Sequence, residues 1–273
     1  MHARLAELIN ILDLEQIETN LFRGHHPAGR TDRLYGGQIM AQALIAAGRT
    51  VPDDRPPHSL HGYFMRPGDA KVPVVFSVDR IRDGRSFTTR RIAAIQHGRA
   101  IFSMDASFQV TEKGLEHQSE MPGLVPPGED QITAAMLEDR FITYLNEYRA
   151  VMENKPLPPK QHSWFRANGE MGDDDPLLHA ALLTYQSDDA LLSTSRLPHR
   201  GTFERQDLQS ASLDHAMWFH QQVRVDQWIL YALDSPQSAA SRGFNRGLMY
   251  TPDGVLVAST IQESLMRWHQ ASS

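Results

Sequence analysis

The chain of 273 residues contains no cysteine. That excludes disulfide frameworks, thiolate nucleophiles and cysteine-ligated metal sites, and nothing ties the fold to an oxidising compartment. Long apolar runs are also missing. A membrane-spanning helix needs ~20 predominantly apolar residues, and the most apolar stretch, residues 39–47, is short and begins beside Gln38. Basic clusters are absent too: 27 Lys and Arg face 33 Asp and Glu, for a net charge of −6. Nonspecific nucleic-acid binding rests on clustered phosphate neutralisation, so this balance argues against it. The serine-hydrolase elbow G-x-S-x-G, the dinucleotide fingerprint G-x-G-x-x-G, the Walker loop and the zincin H-E-x-x-H do not occur. The first residues carry Glu7, Asp13, Glu15 and Glu18 among leucines and isoleucines, which reads as an amphipathic helix and not a signal peptide. No peroxisomal tripeptide closes the chain. The expectation is a soluble, cytoplasmic protein.

What is present is ordinary for a globular chain: 41% hydrophobic and 22% charged residues. Pro122, Pro126 and Pro127 crowd one stretch, and Pro156, Pro158 and Pro159 another. Between them, residues 132–152 have helical spacing, with Met136, Leu137, Phe141, Leu145 and Tyr148 near one stripe. The chain therefore divides into an N-terminal unit (1–110), a Pro-rich linker with its own helix (111–160) and a C-terminal unit (161–273).

The two units resemble each other. Residues 34–47 read as a helix opened by Gly36-Gly37, followed by strand-like runs at 59–65, 72–82, 86–96 and 99–110. Residues 176–192 read as a second helix, followed by strand-like runs at 211–219, 227–234, 242–250 and 255–266. Leu60 matches Leu213 at an offset of 153, and Gly98 matches Gly254 at 156. A near-constant offset predicts a duplicated unit, one helix followed by antiparallel strands. An apolar helix in such a unit belongs on the concave face of its sheet, where both hide their apolar sides. The predicted class is α+β, two tandem helix-wrapped antiparallel units forming one continuous sheet, the arrangement called a double hotdog.

LYGGQIMAQAL followed by HSLHGYFMRPG resembles the N-terminal half of the type II acyl-CoA thioesterases (TesB-like), and SLDHAMWFH and DGVLVASTIQESLMR resemble its two C-terminal signature strands. The likeness runs from about Leu14 to Met266 in the right order and spacing. It implies hydrolysis of acyl-CoA to free acid and coenzyme A, with no cofactor apart from the coenzyme A of the substrate. It also implies an attacking water held by an Asp, a Thr or Ser and a Gln, which fall on Asp188, Ser212 and Gln262. The middle position is often Thr in the family; Ser212 keeps the hydroxyl without the methyl that limits rotation, which bears on efficiency more than mechanism. The implied partner is an acyl-CoA substrate, with no nucleic acid or membrane, and with room for a homo-oligomer.

Read without the family, Asp188 interrupts an apolar stripe of Ala181, Tyr185 and Leu192, or else marks a helix end facing solvent. Ser212 alternates with Ser210 and Asp214 on one strand face, while His215 points the other way. Gln262 shares a face with Leu256, Ala258, Thr260 and Met266 and needs partners there. An ionised Asp can take a proton from water while Ser and Gln aim its lone pair; direct attack by Asp188 to form an anhydride is the alternative route. His25-His26 and Asp173-Asp174-Asp175 lack metal-ligand spacing, and Gly36-Gly37 reads as close helix–sheet packing. Through the repeat, Gln262 matches Ala106, which predicts one active site per chain. A non-enzymatic acyl-CoA binding protein or sensor of the same fold is the competing reading; hydration of an enoyl-CoA would call for a catalytic His beside the carboxylate.

Overall fold

Eleven consecutive residues, from Gly37 to Ala47, are buried, so the helix that contains them is covered on every side. A computed structural model of the chain describes residues 2–26, 33–139, 142–148, 154–172 and 175–269. In chain order, α1 (Ala3–Leu12), β1 (Glu15–Glu18) and β2 (Leu21–Gly24) lead into this helix, α2 (Gly36–Gly48). Then come β3 (Pro57–Phe64), β4 (Val74–Asp83), β5 (Phe87–Gln96) and β6 (Arg99–Gln109). The short α3 (Ala134–Asp139) precedes β7 (Ile142–Asn146), β8 (Lys160–Ala167), α4 (Pro176–Ser187) and α5 (Leu191–Thr194). The chain closes with β9 (Leu208–Ser212), β10 (Asp214–Phe219), β11 (Ile229–Ala239), β12 (Arg242–Tyr250) and β13 (Leu256–Trp268).

All thirteen strands form one sheet in the order β1-β2-β4-β5-β6-β3-β10-β13-β12-β11-β8-β7, with β9 beside β13. Outward from the antiparallel β3–β10 seam the order is β3, β6, β5, β4 on one side and β10, β13, β12, β11 on the other. The two halves are thus related by a pseudo-two-fold axis through the seam. The α+β double hotdog is the architecture of this chain. Its two long helices lie against each other, α2 running antiparallel to α4: a Cβ on Gly37 would meet Tyr185, and one on Gly48 would meet Leu177. Two glutamines inside α2 donate to the N-terminal segment, Gln38 to the His25 carbonyl and Gln42 to the Ile11 and His25 carbonyls.

Three sequence expectations change. The helix expected over 132–152 is confined to α3; residues 142–146 pair with β8 instead, and residues 140, 141 and 149–152 fall outside the described residues. The second helix ends at Ser187, short of Leu192. Leu60 does not correspond to Leu213. Arg90 stands opposite Ala106 as Asn245 stands opposite Gln262, and Leu60 is also opposite Ala106. The β10–β13 register runs Ala216 to Ile261, which places His215 beside Gln262 and makes it the counterpart of Leu60. Leu213 falls in the break between β9 and β10. No helix among the described residues is long and apolar enough to cross a membrane.

Candidate active site

The site begins where the end of α4 lies beside the start of α2. α4 opens with Asp175 capping the Leu177 N–H and with Pro176 in its first turn, and it closes at Ser187 with Asp188 as its C-cap. The helix does end there, yet Asp188 does not simply face solvent. It is carried onto the N-terminus of α2, where the N-cap residue Tyr35 makes no side-chain cap bond and the helix has no acidic residue in its first turn. The Gly37 N–H donates to Asp188 Oδ2 at 3.1 Å. A helix N-terminus carries roughly half a positive charge on such N–H groups, so the carboxylate meets a favourable field. Both glycines are required by this approach. A Cβ on Gly36 would stand 2.6 Å from Asp188 Oδ2, and a Cβ on Gly37 would run into the Tyr185 carbonyl. The pair serves helix–helix packing foremost; the helix–sheet packing expected from sequence is present at Gly36, where a Cβ would also meet the Phe64 ring of β3 at 3.0 Å. Tyr35, just before α2, locks the same junction by donating to the Tyr185 carbonyl at 2.9 Å.

The strands supply the rest through a β-bulge. Ser212 pairs with Ser264 (sum of numbers 476), whereas Ala216 pairs with Ile261 (sum 477), so one extra residue enters at the β9–β10 break. There Leu213 donates its N–H to the Glu263 carbonyl and accepts from the Phe64 N–H. The bulge overturns the expected alternation: Ser212 and His215, three apart, both turn toward the helices, while the Asp214 carboxylate accepts from the Glu263 N–H. Gln262 Nε2 donates to Asp188 Oδ1 at 2.7 Å, and Ser212 Oγ lies 3.4 Å from the same oxygen. Asp188, Ser212 and Gln262 therefore converge, as expected. Asp189 turns aside to accept from Gln186 Nε2 at 3.2 Å.

His215 is the residue that sequence reading missed. It is buried, with Nδ1 at 3.3 Å from Gln262 Nε2 and Nε2 at 3.0 Å from Ser187 Oγ. A carboxylate only accepts, so the Gln262 amide must turn its NH₂ toward Asp188; the second N–H of that NH₂ then points at His215 Nδ1. The imidazole is left with its proton on Nε2, donating to Ser187 Oγ, which donates in turn to the Thr184 carbonyl at 2.8 Å. Burial pushes His215 down to about 3, so it is neutral at physiological pH. Burial raises the pKa of Asp188 against the lowering effect of its bonds to Gln262 and Gly37. The one sequence signal for His215 was its place three residues beyond Ser212, and strict alternation hid it.

Two cavities meet here. One of about 330 Å³ lies between the halves, lined largely by apolar side chains that include Leu34, Ile39, Phe64 and Leu213, and it reaches Gly36 and Ser212. The other, about 890 Å³, is of mixed character, runs past Tyr144, Gln161, Arg196 and Arg200, and reaches Asp188 and Ser212. The apolar space thus lies beside the first-half helix, not the second. In the first half, Arg49 is the C-cap of α2 where Asp188 is that of α4, and Leu60 and Ala106 hold the places of His215 and Gln262. Buried Arg90 fills this counterpart, bonded to Thr50 and Asp83. Among the described residues no cluster of three or more His, Asp or Glu is arranged to hold a metal ion. Asp173 and Asp174 lie outside the described residues.

Comparison with known proteins follows this geometry. Residues 136–265 match the family model described as acyl-CoA thioesterase, and residues 25–109 match the acyl-CoA thioesterase N-terminal domain. Acyl-coenzyme A thioesterase 8 of Mus musculus is 41% identical over 94% of this chain and 88% of its own. Acyl-CoA thioesterase 2 of Haemophilus influenzae is 37% identical over 97% of this chain and 99% of its own. The crystal structure of an acyl-CoA thioesterase II, TesB2, from Mycobacterium marinum superposes with a TM-score of 0.84 at 41% identity, covering 98% of this chain and 99% of that one.

Proposed function

The chain belongs to the acyl-CoA thioesterase family, and we propose that it hydrolyses acyl-CoA thioesters with a water held by Asp188, Ser212 and Gln262. The observation that carries this reading is the Asp188 carboxylate, set between the Gly37 N–H at the start of α2 and the Gln262 amide at 2.7 Å. Desolvation lifts its pKa from the ordinary carboxylate value toward the working pH, which makes it a better proton acceptor. The 3.4 Å Ser212–Asp188 edge is long for an O–H···O bond. It is the edge that a water oxygen would close, donating to Asp188 and accepting from Ser212.

In this reaction the water oxygen attacks the thioester carbon while its proton passes to Asp188. The carbonyl oxygen becomes an oxyanion, which calls for N–H donors other than that of Gly37, since Gly37 already holds Asp188. Collapse of the intermediate breaks the C–S bond, and Asp188 returns its proton to the departing coenzyme A thiolate. His215 touches no reacting atom; it holds the Gln262 amide in the one orientation that donates to Asp188. The reaction uses no cofactor other than the coenzyme A of its substrate, and the second half carries the only complete set of these residues among those described. Its compartment is proposed as cytoplasmic, in keeping with a chain that needs no disulfide.

The test is thiol release from a panel of acyl-CoAs, wild type beside Asp188→Asn. Because the protein has no cysteine, a thiol reagent sees only coenzyme A. Turnover that disappears in the variant supports the reading; equal turnover in both overturns the role of Asp188, and binding without any turnover overturns hydrolysis.

A further inference from the structure

The last four carbonyls of a helix have no partner within it and together carry roughly half a negative charge. A helix end therefore suits a cation, and α2 ends on one, with Arg49 as its C-cap. α4 ends on an anion, Asp188. Each of its last four carbonyls has a donor. Thr184 accepts from the Ser187 hydroxyl at 2.8 Å, Tyr185 from the Tyr35 hydroxyl at 2.9 Å, Gln186 from the Asp189 N–H at 3.1 Å, and Ser187 from the Tyr231 hydroxyl at 2.9 Å. The Ser187 carbonyl belongs to the peptide unit that joins the helix to Asp188, so Tyr231 holds the plane from which the carboxylate hangs.

Tyr231 is buried on β11. A carbonyl only accepts, so the single Tyr231 proton goes to Ser187, and the Thr260 hydroxyl, 2.8 Å away on β13, donates to the tyrosine oxygen. Gly247 makes the room, because a Cβ there would run into both the Tyr231 ring and the Thr260 hydroxyl. The first half supplies the contrast. Two residues on from the matched Asn245 and Arg90 stand Gly247 and Ile92, paired with Thr260 and Met104. Two further on stand Met249 and Ala94, paired with Tyr231 and Phe76. The places of Tyr231, Gly247 and Thr260 are thus taken in the first half by Phe76, Ile92 and Met104, all apolar and buried. The fold closes without either hydroxyl where the helix ends on Arg49, and carries both where it ends on Asp188.

Resting on the hydrolytic reading above, we propose that Tyr231 is a positioning residue for Asp188, one that with Tyr35 neutralises the carbonyl end of α4 and so keeps the carboxylate ionised and in place beside the Gln262 amide. Burial foremost, with the Asp188 charge among the lesser causes, raises both tyrosine hydroxyls above their ordinary pKa, so each stays a donor. The titratable and charged groups packed around Asp188 are Asp189 and Tyr185 on its own segment, Tyr35 ahead of α2, Tyr231 on β11 and neutral His215 on β10. Tyr144, Arg196 and Arg200 stand along the larger cavity. A change at Tyr231 alone leaves all the others in place.

The experiment is Tyr231→Phe, which deletes one hydroxyl and keeps the ring. Loss of a donor at the helix end should raise the Asp188 pKa by about half to one unit. The acid limb of the kcat/KM profile should move up by that amount, so kcat/KM on the limb falls about three- to tenfold while KM is little changed. Tyr231→Phe/Thr260→Val also removes the threonine hydroxyl that the first change would strand; it should regain melting temperature and keep the shift. An unmoved limb, or a uniform loss at every pH, overturns the proposal, as does a rise in KM with the limb in place. Carboxyl ¹³C resonances of aspartate-labelled protein give the same titration without turnover, that of Asp188 being identified by its absence from Asp188→Asn. If wild type releases no thiol from any acyl-CoA, the hydrolytic reading falls alone. The resonance titration then still decides the role of Tyr231, an equal Asp188 pKa in wild type and Tyr231→Phe being the result that overturns it.

Discussion

Replacing Gly36 by Ala adds one methyl group at the point where α2 approaches the Asp188 carboxylate, the proposed proton acceptor. The new Cβ would stand 2.6 Å from Asp188 Oδ2 and 3.0 Å from the tip of the Phe64 ring, where ordinary contact begins near 3.4 Å. The carboxylate must therefore retreat by about 0.8 Å, the difference of those values, or the ring must move into the apolar cavity. Asp188 is held by Gln262 at 2.7 Å and by the Gly37 N–H at 3.1 Å, so any retreat pulls against both. Misplacement of a reacting group by ~1 Å costs on the order of 100-fold in rate, so kcat should fall roughly 10- to 100-fold. Overpacking costs about 1–3 kcal/mol, partly offset by up to ~1 kcal/mol of helix propensity gained from Gly to Ala. The variant should stay folded and lose activity. Gly48→Ala, at the other end of the same helix, is the control: the nearest atoms to its Cβ belong to the Leu177 side chain, far from Asp188. Steady-state thiol release and thermal melts of both variants separate the effects. Full kcat in Gly36→Ala would refute the account of why this helix begins with glycine.

Four further outcomes are expected. His215→Ala should lower kcat about tenfold with KM little changed, because it frees the Gln262 amide and leaves the Ser187 hydroxyl without its ring partner; a change in KM alone would make the role merely structural. Burial raises the Asp188 pKa, so the acid limb of the kcat/KM profile should lie above the ordinary carboxylate value of 3.8 and not below it. The same raised pKa means the folded state binds this proton more tightly than the unfolded chain, so this group's contribution to stability falls as pH rises through the interval from 3.8 to the raised value; the unfolding free energy of Asp188→Asn should lack that component. Arg90→Ala should cost about 3 kcal/mol, lowering Tm by roughly 6 °C or more, because it empties a buried site and strips partners from the Thr50, Arg82 and Thr89 carbonyls. Its kcat per folded molecule should match wild type, since it lies in the half without the proposed catalytic set.

Much of this architecture is written in local patterns. The hairpin turns beside Gly98 and Gly254, where the backbone takes positive φ, divide runs whose alternation holds throughout β5 and over most of β6, β12 and β13, with breaks at Ile101–Phe102, Met249–Tyr250 and Val257–Ala258. The apolar run at 36–48 with its glycine pair is legible as a buried helix because no other element could hide it on all sides. Asp188, Ser212 and Gln262 were found through the family likeness, and their convergence depends on two features that spacing rules cannot express. One is the bulge at Leu213, which breaks the two-residue period and turns Ser212 and His215 to the same side. The other is the end of α4 at Ser187, where the C-cap aims Asp188 at a helix from the other half of the chain, 151 residues away. The segment 142–146 misled for a different reason. Its apolar residues also fit a helical stripe, but Ile142, Thr143 and Tyr144 favour a strand, and the free edge of β8 provides one.

The central claim is that water, and not the carboxylate itself, attacks the thioester. A single turnover with enzyme in excess over an acyl-CoA, run in ¹⁸O-labelled water, tests it most directly. Attack by a water held between Asp188, Ser212 and Gln262 predicts one ¹⁸O in every released acid and none in the peptide that contains Asp188. Label appearing in the Asp188 carboxylate, with unlabelled acid released, would contradict the account and establish an anhydride intermediate.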